Sequence, residues 1–121
     1  MKKENLIIFG ANGLIGKALV ADLLKKGCNV IAADLNNKML NNLKQDFESP
    51  KNLIIKKCDI LKKDEICNVF KLCEKKFGKP DGCVNCTYPK NKNFGKDFFN
   101  IRIKDFISNL ELHLGGYFLL M

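Results

Sequence analysis

The chain has 121 residues, which suits one domain; 46% of them are hydrophobic, enough to form a core, and no stretch reads as disordered, repetitive or low-complexity. Its net charge of +8 comes from 21 basic and 13 acidic residues, but the lysines are scattered, Arg102 is the one arginine, and no basic stripe interleaved with aromatics argues for a nucleic-acid partner. No run approaches the ~18 apolar residues of a membrane helix, and the apolar segment after Met1-Lys2-Lys3 stops at Gly10, too short for a signal peptide, so a soluble cytoplasmic protein is expected.

In chain order, Asn5–Phe9 is the first predicted strand, ending at Gly10-Ala11-Asn12-Gly13-Leu14-Ile15-Gly16. A buried strand that turns sharply into a helix aims unpaired N–H groups at one point, which attracts a phosphate. The spacing is Gly-x-x-Gly-x-x-Gly, not the commoner Gly-x-Gly-x-x-Gly, so by itself it is a weak signal. The first helix runs from Leu14 to Lys26, with Ile15, Leu19 and Leu23 on one face and Gly27 as its stop. Asn29–Ala33 is the second strand, and Asp34 stands at its end, 18 positions after Gly16. An acid there can accept hydrogen bonds from ribose hydroxyls and repel a 2′-phosphate, which favours NAD over NADP. The plainer alternative is that Asp34 turns the chain before Asn36 and Asn37.

The second helix covers Lys38–Phe47 with Met39, Leu43 and Phe47 inward, and Leu53–Lys57 is the third strand. The third helix covers Lys63–Phe77, with Ile66, Val69, Phe70, Cys73 and Phe77 at helical spacing. Gly82–Asn85 is the fourth strand, a polar loop runs from Thr87 to about Asn100, and the last helix starts near Lys104 with Ile107, Leu110, Leu114, Phe118 and Met121 on one face. Helices between short apolar strands imply right-handed crossovers and a parallel sheet, in the order 3-2-1-4, with a ligand crevice at the carboxyl ends of strands one and four.

Six cysteines, Cys28, Cys58, Cys67, Cys73, Cys83 and Cys86, read as small core residues rather than a disulfide framework. Cys83-Val84-Asn85-Cys86 has redox or zinc spacing, but it falls on a strand expected to be buried and has no second Cys-x-x-Cys, so no metal site is expected.

The glycine turn, Asp34, Cys58-Asp59-Ile60, Asp81-Gly82-Cys83-Val84-Asn85-Cys86-Thr87 and Asn109-Leu110-Glu111-Leu112-His113-Leu114-Gly115-Gly116-Tyr117-Phe118-Leu119 together resemble the short-chain dehydrogenase/reductase family over the whole chain. The resemblance implies a Rossmann-like, doubly wound α/β domain over residues 1–121, incomplete after the fourth strand and its following helix. It implies NAD(P)-dependent hydride transfer to or from a sugar-like alcohol or carbonyl. The implied cofactor residues are Gly10, Asn12, Gly13, Leu14, Ile15 and Gly16 at the pyrophosphate, Asp34 and Leu35 at the ribose, Asp59 and Ile60 at the adenine, and Asn85, Cys86 and Thr87 at the nicotinamide ribose. The run from Asn85 to Gly95, with His113–Tyr117, is similar to oxidoreductases of flagellin modification and nonulosonic sugar synthesis.

Some residues depart from the family pattern. Phe9 stands where a threonine is frequent, Cys86 replaces an asparagine and Tyr88 a glycine. His113 falls at the family's helix asparagine, where it either serves a water relay or is simply packed. The family's catalytic serine and helical Tyr-x-x-x-Lys are not evident. Tyr88 and Lys92 match the spacing, but Pro89 puts them in a loop, and Tyr117 fails it. The chain alone is therefore expected to bind a dinucleotide without turning over. The alternatives are part of a nucleotide-sugar epimerase or dehydratase, or a non-catalytic NAD-binding module. Lys90, Lys92 and Lys96 either meet an anionic sugar or nucleotide or are solvated. Self-association is expected through the last helix or the open edge of strand four.

Overall fold

A computed structural model describes residues 3–121; the basic Met1-Lys2 start lies outside the described residues. Four parallel strands, β1 (Asn5–Phe9), β2 (Asn29–Asp34), β3 (Leu53–Lys57) and β4 (Gly82–Asn85), form one sheet in the order β3-β2-β1-β4. This is the expected doubly wound order. β1 pairs Ile7 with Ile31 on one side and with Cys83 on the other. Because β1 and β2 are covered on both faces, they read as nearly continuous apolar runs rather than alternating ones.

The pleat sorts these runs into two cores. Ile7, Phe9, Ile31 and Ala33 point to one face, where they meet Ile66, Val69 and Cys73 of α3 (Lys63–Lys76). Ile8, Val30 and Ala32 point to the other, against Val20 of α1 (Leu14–Lys25) and Leu40 and Leu43 of α2 (Asn37–Asp46). Helix ends follow local chemistry. Asn36 caps α2 by accepting the Met39 N–H at 3.1 Å. α3 carries Asp64 and Glu65 in its first turn and Lys75 and Lys76 in its last, matching the helix dipole. Gly27, at φ +80°, ends the turn after α1.

Two inward assignments move. Met39 is exposed, and Leu40 takes the core position in α2, because the Asn36 cap starts the helix at Asn37 and sets its rotation. Ile15 is exposed rather than packed, and Gly16 and Val20 are the buried residues of α1. The expectation that Cys83-Val84-Asn85-Cys86 lies on a buried strand is also corrected. β4 is an outer strand, with Cys83, Val84 and Asn85 exposed. All six cysteines are free thiols.

The last helix is not regular. α4 (Ile103–Leu110) passes through a π-helical turn, Glu111–Gly115, into α5 (Gly116–Leu120). Gly116 is buried against Ile60, where an added Cβ would lie 2.7 Å from Ile60 Cδ1. Tyr117, Leu119 and Leu120 pack on the α3-side core. Ile107, Leu110, Leu114, Phe118 and Met121 form the opposite, exposed side.

At the other end of the sheet, buried Asn5 ties β1 to the start of β2 and to the connection between α3 and β4. Its Nδ2 donates to the Phe77 and Lys79 carbonyls, each at 3.1 Å, its Oδ1 accepts from Asn29 Nδ2 at 2.9 Å, and its N–H donates to Asp81. Among the described residues, no helix is long and apolar enough to cross a membrane.

Candidate functional site

The strand order reverses at β1, which has β2 on one side and β4 on the other. The loops leaving β1 and β4 therefore diverge and leave a crevice above the strand ends. A cleft of about 660 Å³ opens there.

The turn after β1 forms its middle wall. Gly10 has φ +76°, and a Cβ there would sit 2.6 Å from both the Cys86 carbonyl carbon and the Thr87 nitrogen. A Cβ on Gly16 would run into the Gly10 carbonyl oxygen. These two glycines let the β1 turn, the start of α1 and the segment after β4 pack against one another. α1 then begins with no side-chain cap and no acidic residue in its first turn. Its first N–H groups have no intrahelical acceptor, and no carboxylate competes for them. Gly13, Leu14 and Ile15 line the cleft, and Leu14 and Ile15 are exposed there.

Asp34 ends β2 beside this turn. One carboxylate oxygen accepts the Asn12 N–H at 2.9 Å, and the other accepts the Asn36 N–H at 3.3 Å. It thus holds the glycine turn to β2, and each oxygen keeps a further lone pair for a ligand. Beyond β3, Asp59 accepts the Leu61 N–H at 3.0 Å and gives its own N–H to Glu65 at 2.8 Å. That bond, with help from Lys62, holds the Glu65 carboxyl below its usual range. Burial, then the Glu65 and Asp59 charges, push the adjacent Cys58 thiol up to about 12, so it stays protonated.

After β4, Asn85 Oδ1 accepts from the Thr87 N–H at 3.0 Å and the Thr87 hydroxyl at 2.6 Å, turning the chain toward the cleft. The Thr87 carbonyl accepts from the Tyr117 hydroxyl at 2.8 Å, and His113 Nδ1 lies 3.3 Å from that hydroxyl. The Tyr88 ring stands edge-on to His113 at 4.9 Å and to Phe94 at 5.9 Å. The His113 ring is thus part of a packed cluster of aromatic side chains.

Of the residues expected from sequence, Gly10, Gly13, Leu14, Ile15, Asp34, Leu35, Asp59, Ile60, Cys86 and Thr87 share the one cleft. Four do not line it. Gly16 is buried beneath the turn, Asn85 shapes the loop, and His113 sits behind Tyr88. Asn12 faces a smaller depression of about 230 Å³ beside Lys17 and Asp46, its Nδ2 donating to the Asn36 carbonyl. Tyr88, Pro89, Lys90 and Leu112 line the cleft without having been singled out as cofactor residues. A signal existed for Tyr88, the bulky residue at a glycine position; nothing local marks Leu112, which the π turn carries into place. Tyr88 and Lys92 lie in irregular chain and a turn, not on one helical face.

A family described as enoyl-(acyl carrier protein) reductase matches residues 10–121. The flagellin modification protein A of Campylobacter coli is 37% identical over 121 residues, covering 96% of this chain and 47% of that protein. The chain belongs to the short-chain dehydrogenase/reductase family. It spans about half the length of this curated relative. Among solved structures, a short-chain dehydrogenase/reductase of Brucella melitensis superposes with a TM-score of 0.80 at 26% identity, over 99% of this chain and 50% of that one. A 3-ketoacyl-(acyl-carrier-protein) reductase of the same organism, complexed with NADH, shares the fold. Its TM-score is 0.80 at 19% identity, over 97% of this chain and 47% of that one. The family binds NAD(P).

Proposed function

We propose that this chain is the cofactor-binding part of an NAD-dependent short-chain oxidoreductase that moves hydride to or from a sugar-like alcohol or carbonyl. One observation carries the reading: the uncapped, acid-free start of α1 lines the same cleft as Asp34, with the turn between them fixed by the 2.9 Å Asn12–Asp34 bond. An uncapped helix start suits a pyrophosphate, and a carboxylate at the end of β2 suits ribose hydroxyls and disfavours a 2′-phosphate. When bound, the nicotinamide cofactor supplies the hydride donor or acceptor. The chain's own residues hold it. The Gly13–Gly16 turn would receive the pyrophosphate, Asp34 and Leu35 the adenosine ribose, Asp59 and Ile60 the adenine, and Cys86 and Thr87 the nicotinamide ribose. His113, braced against Tyr88 and Tyr117, acts in this reading through the position of the Thr87–Tyr88 segment. None of these groups is a proton donor set against a carbonyl, so the 121 residues by themselves bind cofactor without turnover.

The test is calorimetric titration of NAD and NADP into the chain and its Asp34→Ala variant. NAD binds the unaltered chain more tightly than NADP. Asp34→Ala weakens NAD about tenfold, the scale of a lost charge-assisted hydrogen bond. Equal NAD affinity in the two proteins would remove the ribose assignment, and NAD-dependent turnover by the purified chain would overturn the division between binding and chemistry.

A further inference from the structure

The charges around the cleft are segregated. Asp59 follows β3 and Asp34 follows β2, the glycine turn follows β1, and Lys90 follows β4. Since the sheet order is β3-β2-β1-β4, the strand from which the Lys90 loop departs lies across β1 from the two strands that lead into the carboxylates. Among the described residues, it is the one cationic side chain lining the cleft.

Its side chain is exposed, with the ammonium beside two aromatic rings. Nζ sits 5.0 Å from the Phe94 ring centroid and 5.5 Å from that of Tyr88, within cation–π range of both. Tyr88 is itself braced by His113 and Phe94. The loop carrying Lys90 is anchored to α4: Asn91 Nδ2 donates to the Asp105 carbonyl at 2.9 Å, and Asn93 Nδ2 to the Asp105 carboxylate at 2.6 Å. Ring faces position a cation without neutralising it. Among the described residues, no carboxylate forms an ion pair with Lys90, whereas Lys17, Lys26 and Lys62 each have one.

The geometry points to Lys90 as the residue that recognises an anionic group, carboxylate or phosphate, on the substrate. The inference rests on the cofactor reading above, because that reading assigns the cofactor's phosphates to the start of α1 and leaves the β4 side for substrate. Lys92 and Lys96 do not line the cleft and take no part.

The probe is inorganic phosphate, titrated calorimetrically into the chain already saturated with NADH. The unaltered chain binds it; Lys90→Gln weakens it at least fivefold, Lys90→Arg retains it, and Lys92→Gln matches the unaltered chain. NADH affinity is the same in all four proteins. If Lys90→Gln weakens NADH instead, the ammonium serves the cofactor and the substrate assignment is overturned. Phosphate binding that is absent, or indifferent to Lys90, overturns it as well while leaving the cofactor reading intact. Failure of the unaltered chain to bind NADH defeats the cofactor reading and this inference together.

Discussion

Gly10 shows how much one missing side chain decides. A methyl group there would face two backbone atoms of the segment after β4 at 2.6 Å, in a residue at φ +76°. Backbone cannot move aside as a side-chain tip can, and the left-handed conformation adds its own cost. Gly10→Ala is therefore expected to destabilise the fold by about 2 kcal/mol or more, read as a lower denaturant midpoint at unchanged m-value. Asp105 sets a pH dependence. The Asn93 amide and Arg102 hold its carboxyl down at about 2, against an ordinary 3.8. A depressed carboxylate stabilises fully above its unfolded value and loses that contribution as pH falls through its folded one. Protection of the Asn93–Asp105 contact in NMR exchange should thus persist from pH 7 down to the ordinary value and fade only as pH falls toward about 2. Asp105→Asn should remove this dependence. Thiol chemistry separates the cysteines in the same residue-by-residue way. Cys67 and Cys83 are exposed, although desolvation raises the Cys83 thiol too, whereas Cys58 and Cys73 are buried with their thiols pushed up by desolvation. Iodoacetamide at pH 8 should label the first two and spare the second two until the chain unfolds, as peptide mass mapping would show.

Elements were legible where pattern and punctuation agreed. Strands β1, β3 and β4 have their expected bounds, and β2 gains only Asp34. α3 shows the inward Ile66, Val69 and Cys73 because these apolar residues recur at helical spacing, and its acidic start and basic end mark its extent. α2 was less legible, since Met39 and Leu40 are adjacent apolar residues and spacing alone admits either. The rotation follows from the Asn36 cap. Leu40→Ala should cost about 2–5 kcal/mol in chemical denaturation, and Met39→Ala under about 1 kcal/mol. The reverse order would contradict the observed register. Leu14 and Ile15 carry the apolar stripe of α1 past the point where the sheet can cover it. Their side chains line the cleft instead, so the same hydrophobic signal serves packing at Val20 and the cleft wall at the start of the helix.

At the scale of the molecule, the π turn at Glu111–Gly115 sets which side of the last helix meets the domain. It carries Leu112 to the cleft and Gly116 to Ile60, and it leaves Ile107, Leu110, Leu114 and Phe118 facing outward. Phe98 and Phe99 are exposed as well. Sedimentation velocity across a concentration series should show self-association that Leu114→Lys combined with Phe118→Glu reduces. A monomer at every concentration would count against it.

What the sequence determined by itself was local and directional. Strand and helix alternation, the glycine turn and the acid after β2 follow from short-range sterics, periodicity and hydrogen bonding, and they sufficed for the sheet order and the crevice at the strand ends. The tertiary structure alone decided what depends on distant segments meeting. The β4 strand is exposed because it lies at the outside of the sheet. Asn5 is a buried hub because the start of β2 and the α3–β4 connection converge on it. The loop that carries Lys90 with its sequence neighbours Tyr88 and Phe94 is anchored because Asn93 meets Asp105 of α4. Such contacts join residues far apart along the chain, and no local spacing encodes them.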